Sequence, residues 1–161
     1  MQSTTHFLVG IWIFRACSLL ETMGVPFWII IILSTILAIL SHVLLDCLAK
    51  MTYHMPEPQY HDVFWVSYHV VFVYGGTLAL LILYFSNYWW VMLAAILPDI
   101  IDWYIRRPLL KKGPIIHPQI DKLRNRWFSW IPDLTAKKWT VVLEIGLDVI
   151  LFVLLIVFVQ I

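Results

Sequence analysis

The chain has 161 residues, 61% of them hydrophobic and 13% charged, with a mean hydropathy of +0.85 and a formal net charge of +1. That balance excludes an ordinary soluble domain. The apolar runs are continuous rather than alternating, which also disfavours a barrel, whose strands are only about ten residues long.

A hydrocarbon core about 30 Å thick asks for about 20 apolar residues per helix, and five stretches are candidates. Residues 6–20 form the first and weakest. This stretch is short, holds Arg15 and is opened by His6, so it is expected to span obliquely or to lie part-way in. Residues 27–49 make a full-length span closed by His42 and Asp46. Residues 63–85 make another, opened by His61 and carrying His69 two turns in. After a short turn at residues 86–87, residues 88–105 run apolar at first and end on Pro98, Asp99 and Asp102. Residues 140–161 form the last stretch, opened by Glu144 and Asp148.

The polar segment 106–139 is too small for a core of its own. Pro108, Gly113, Pro114 and Pro118 punctuate its first part. From Pro118, Ile120, Leu123, Trp127 and Ile131 recur at helical spacing, with Lys122, Arg124 and Arg126 on other faces. This is the pattern of an interfacial amphipathic helix. It either simply obeys the positive-inside rule or forms a headgroup-binding lid. The expected fold is therefore all-α: one integral membrane domain over 1–161, with four to five transmembrane helices and one cytoplasmic interfacial helix. No cleavable signal sequence is evident. Cys17 and Cys47 fall near opposite ends of neighbouring stretches, which excludes a disulfide between them.

Charge distribution sets the topology. Arg106, Arg107, Lys111, Lys112, Lys122, Arg124, Arg126, Lys137 and Lys138 all lie between the fourth and fifth stretches, and the two short turns have no basic residue. The positive-inside rule then puts the N-terminus in the cytoplasm and the chain in the inner membrane as a multi-pass protein. The basic loop is explained by topology, so nucleic acid is not an expected partner, whereas membrane lipid is. The same topology brings the acids and histidines to one level. Ionisable groups at membrane depth mark a site by default.

His42 and Asp46 stand i, i+4 on one helix face and can share a metal, or the acid can orient the imidazole. Pro98 interrupts its helix, and Asp99 and Asp102 follow three residues apart. Two acids this close repel unless a cation or proton joins them. Such mixed ligands suit Zn, Mn or Fe, and an acid-rich set also suits Mg. The expected metal ligands or their supports are His6, His42, Asp46, Asp99, Asp102 and His117. Glu144 and Asp148 either supply a catalytic base or pair with Lys137, Lys138 or Arg107. Arg106, Arg107, Lys111 and Lys112 would attract an anionic headgroup. No Gly-rich phosphate loop, G-x-S-x-G or H-E-x-x-H is present.

Thr5-His6, the run from Ser41 to Asp46, the run from Leu97 to Asp102, and Ile116-His117 together resemble the small prokaryotic membrane-bound, metal-dependent hydrolases. The resemblance implies a multi-helix inner-membrane fold and a metal site. The chain departs from that pattern in two ways: its aspartate element is Pro-Asp-x-x-Asp, one residue longer than usual, and it lacks a His-Arg followed by Thr-His-Ser. Two other readings compete with a hydrolase, namely a non-enzymatic scaffold or partner subunit, and a metal or proton transporter. Against transport, the acids cluster at one end instead of mid-membrane.

Overall fold

A computed structural model describes residues 2–55 and 58–159, so the last two residues of the fifth stretch lie outside it. The protein is helical, with no strand among the described residues. Helix α1 covers Ser3–Ser18 and is prolonged by a 3-10 turn, Leu19–Met23. Gly24, at φ 82°, then turns the chain through Pro26 into α2, Phe27–Leu48. Helix α3, Val63–Tyr68, continues through a π-helical segment, His69–Gly75, into α4, Gly76–Ala95. A three-residue turn, α5 (Leu97–Asp99), leads to a second π-helical segment, Ile100–Arg106. Helix α6, His117–Trp127, is amphipathic, and α7, Val141–Val159, ends the described chain.

Four helical runs are long and apolar enough to cross a membrane: Ser3–Met23, Phe27–Met51, Val63–Ala95 and Lys138–Phe158. The third, at 33 residues, would reach about 50 Å if straight. It is not straight. A Cβ on Gly76 would lie 3.2 Å from the Thr4 side chain, and one on Gly10 would lie 2.9 Å from Ala95 Cβ. Thr4 and Gly10 are about 9 Å apart along α1, whereas Gly76 and Ala95 would be about 28 Å apart on one axis. The run must therefore double back. Ser86 and Asn87, both exposed, mark the tip where the sequence places a turn. The third and fourth apolar stretches are the arms of one helical hairpin.

The weakest stretch turns out to be the centre of the bundle. The α1 run has a mean hydropathy of only 1.2, yet 44% of its window is buried; the other three runs range from 1.8 to 2.9 and are 17–22% buried. Thr4, Thr5, His6, Phe7, Leu8, Gly10 and Ile11 are all buried on it. Its neighbours α2, α4 and α7 are more exposed and more apolar, as helices that face lipid would need to be. On α2 the two faces separate cleanly. Ile30, Ser34, Ala38 and His42 are buried at four-residue spacing, while Ile32, Ile36, Leu40 and Leu44 are each more than half exposed. Small Ser34 and Ala38 let α1 approach closely.

The two arms of the hairpin pack around the same centre. Leu80, Tyr84, Tyr88 and Val91 join Phe7, Leu8, Ile11, Ala38 and Leu155 in one core. The Trp12 indole donates to the Leu151 carbonyl at 3.0 Å, tying α1 to α7 at mid-depth. Lys138 pairs with Asp62 at 2.6 Å, so α7 and α3 start at the same end as α1. Helix α6 ends at Trp127, earlier than its hydrophobic pattern implies. Ile120 is buried against α2, whereas Trp127 remains exposed.

Gly10→Ala should lower the thermal midpoint in detergent, by the ~1–3 kcal/mol typical of overpacking, because its Cβ meets Ala95 at 2.9 Å and the Val91 carbonyl oxygen at 3.1 Å. Gly146→Ala, with nothing within 4 Å, should leave the midpoint unchanged or raised. Circular dichroism melts of the two variants check the close helix approach.

Candidate metal centre

The cluster is assembled from three helix ends. His42 and Asp46 come from the inner row of α2. Asp99 ends the turn that Pro98 starts. His117 opens α6, ahead of Pro118, which suits the first turn because it lacks an N–H. One ligand atom from each of His42, Asp46, Asp99 and His117 can be chosen so that all lie within 4.8 Å of one another, and the four could hold a metal ion.

The two imidazoles are oriented from behind. His42 Nδ1 lies 2.8 Å from the Ala95 carbonyl oxygen. A carbonyl only accepts, so Nδ1 carries a proton, and in the neutral ring Nε2 is left with the lone pair. That Nε2 is fully buried and has no hydrogen-bond partner, although Asp46 Oδ2 lies 3.2 Å and Asp99 Oδ1 3.8 Å away. A buried lone pair facing two carboxylates is unfavourable unless a cation stands between them. This orphaned nitrogen is the direct structural argument that the residues fit a metal.

His117 Nδ1 lies 2.9 Å from Asp102 Oδ2, the carboxylate–histidine arrangement that supports metal-binding imidazoles. His117 Nε2 faces Asp99 Oδ1 at 3.0 Å and Asp46 Oδ2 at 3.5 Å. Burial disfavours a charge on this ring, but hydrogen bonds to Asp46, Asp99 and Asp102 prevail and raise its pKa to about 10. Without a metal, a proton on His117 bridges the acids. Trp103 Nε1, 3.3 Å from the same Nε2, can donate to it once that proton has left.

The other expected ligands stand one step back. Asp102 is not aimed at the centre. It is fully buried and accepts the backbone N–H groups of Ile115, Ile116 and His117 at 2.8–2.9 Å, so it folds the loop and aims His117. The π-helical segment Ile100–Arg106 gives Asp102 a direction different from that of Asp99. His6 Nε2 lies 3.3 Å from Asp46 Oδ1, and its ring stacks on His42 at 4.0 Å between centroids. It supports Asp46 from the side of α1.

Glu144 and Asp148 do not join the cluster. Glu144 Oε1 accepts the Gln2 backbone N–H at 2.7 Å and the Thr5 hydroxyl at 3.2 Å, and its Oε2 accepts the Tyr68 hydroxyl at 3.1 Å. Thr5 and His6 point about 100° apart around α1, so α7 meets one side of that helix and the cluster meets another. Asp148, further along α7, lines a small lateral pocket with Thr4, Leu8 and Gly76. The expected pairing of these acids with Lys138 is not found, because Lys138 is held by Asp62.

A second, larger cavity of about 780 Å³ opens beside the centre and is lined by Asp46, Asp99, His117, Trp103, Arg107 and Arg124, among others. Of the four basic residues expected at a headgroup, only Arg107 lines it. Arg106 donates to the Gly113 carbonyl at 2.9 Å, and Lys111 and Lys112 are exposed outside it. Arg124 was legible as a neighbour of His117, since the i+7 spacing puts both on one face of α6. No family model, curated protein or solved structure matches the chain.

Asp102→Asn keeps the shape but removes the charge that the loop N–H groups converge on. Charge-assisted hydrogen bonds of this kind contribute about 1.5–3 kcal/mol. Amide exchange at residues 115–117 should accelerate while α1 and α2 stay protected. Affinity for added Zn or Mn should fall about 10–100-fold, as for other supports behind a metal ligand.

Proposed function

We propose that this chain is a membrane-embedded, metal-dependent hydrolase acting on a lipid or lipid phosphate at headgroup depth on the cytoplasmic face. The observation that carries the reading is His42 Nε2, buried and without a hydrogen bond, in a ring of two carboxylates and a second imidazole beside a cavity. The motif-level resemblance to membrane-bound metal-dependent hydrolases points the same way. The abundance of Lys and Arg between α4 and α7 supports a cytoplasmic location for this end of the bundle, with the N-terminus inside and the inner membrane as host.

A bound divalent cation supplies Lewis acidity to an ester or phosphoryl oxygen and makes bound water more acidic. Zn, Mn and Mg all remain compatible with two imidazoles and two carboxylates. The protein's own contribution is orientation. Ala95 fixes the tautomer of His42, Asp102 that of His117, and His6 braces Asp46. Pre-aimed ligands of this kind need no rearrangement when charge develops in the transition state.

A metal-free scaffold reading has one observation in its favour, because a protonated His117 can neutralise the acids without any ion. Elemental analysis of detergent-purified protein separates the two. The hydrolase reading expects stoichiometric metal in the parent and its loss in Asp46→Ala and Asp99→Ala. It also expects release of product from lipid phosphates or esters to fall at least 100-fold in both variants. A parent that holds no metal after chelator-free purification and reloading would favour the scaffold.

A further inference from the structure

The 780 Å³ cavity lies within the roughly 300–1,000 Å³ range of small-ligand sites and is far larger than one phosphate needs. Two guanidinium groups from separate elements reach it. Arg107 follows the π-helical segment after α5, and Arg124 lies two turns into α6. Arg107 lies over the Trp103 ring, 5.5 Å from its centroid, and the Trp103 ring in turn lies 4.8 Å from His117. Through Trp103 the cation is in contact with a residue of the metal cluster. Arg124 is bound to Asp121 through a terminal nitrogen, while its Nε is buried and has no hydrogen-bond partner. A buried donor left unpaired costs about 1–3 kcal/mol, and an anionic oxygen in the cavity would satisfy it.

The rest of the wall is not built for a sugar or a free ion. Trp65, Val73, Tyr74 and Tyr104 line the same space, and Tyr74 and Tyr104 are 62% and 68% exposed at its lateral side. Aromatic residues of this type suit the boundary between headgroups and acyl chains. Planar guanidinium groups match the oxygen geometry of phosphate in a way ammonium groups do not.

We propose that the cavity binds an amphiphile whose phosphate group is clamped between Arg107 and Arg124 and whose apolar part lies along the aromatic wall. Arg124 is the specificity-determining residue that the charge pattern of the loop does not single out. The proposal deepens the hydrolase reading by naming its substrate class, a phosphate-bearing amphiphile.

The test is equilibrium binding of dihexanoyl phosphatidic acid and of inorganic phosphate to purified protein in non-ionic detergent, with and without added Mn. Metal content is measured on every sample. The expected result is at least tenfold preference for the phosphatidic acid, and at least tenfold weaker binding in Arg107→Ala and Arg124→Ala. Arg124→Lys should bind with intermediate affinity, and Lys122→Ala, on an exposed face of α6, should match the parent. Arg107 is exposed, so its variant tests the clamp without threatening the fold.

Equal affinity for inorganic phosphate would overturn the amphiphile assignment and point to a soluble phosphate. Parent-like binding by both arginine variants would overturn the clamp, even where metal binds with full stoichiometry and the hydrolase reading stands. Arginine-dependent phosphatidic acid binding by a parent that holds no metal would uphold the clamp and defeat the hydrolase reading.

Discussion

The structure depends on α1, the least apolar of the four long helical runs and the most buried. Its first turn buries Thr4, Thr5 and His6. In hydrocarbon each of these polar groups would cost free energy unless satisfied. The surrounding helices answer most of them. Thr4 donates towards the Phe72 and Val73 carbonyls, Ser3 bonds Thr77 and Thr5 donates to Glu144, whereas His6 faces Asp46 at 3.3 Å with neither ring nitrogen in a hydrogen bond. Each of these contacts fixes a neighbouring helix in rotation and depth. The metal cluster is the side of that arrangement on which the satisfying groups outnumber what α1 needs.

Glu144 illustrates the division. Its carboxylate is fully engaged by Gln2, Thr5 and Tyr68, so it joins three helices and leaves no oxygen directed at a ligand. On the opposite flank, Asp46 and Asp99 face imidazole nitrogens at distances that a proton or a metal must mediate. Burial and carboxylic acids occur on both flanks. What separates them is the kind of partner: backbone N–H and hydroxyl donors meet Glu144, whereas imidazole rings face Asp46 and Asp99.

Much of this was legible in the sequence. Apolar length located the long helical runs, and the four-residue rhythm of α2 predicted that His42 and Asp46 share a face. The pair Ser86 and Asn87, a short turn in the sequence, already marked the hairpin tip. The central role of α1 was not legible, because hydropathy ranks a helix by its fitness for lipid and ranks the buried helix last. The roles of Glu144 and Asp102 were also hidden. Spacing places a carboxylate on a helix face but does not count the donors that will meet it, and for Asp102 these come from a loop thirteen residues away that only tertiary folding brings back. The i+7 relation between His117 and Arg124 was present in the sequence but gained meaning only from the cavity on which both residues border.

The hairpin and the central helix together have a consequence for biosynthesis. Of the described helices, α1 comes first in the chain and is enclosed only by segments that follow it. Its partners arrive in sequence order, and the loop that brings His117 to Asp99 follows four apolar segments. Before those segments pack, the Thr4 and Thr5 hydroxyls and the His6 ring lack the neighbours they have in the folded chain. Helix α2, next in the chain, carries the Asp46 that lies 3.3 Å from His6. Assembly of the site is thus late in chain order, because His117 follows every other residue of the cluster.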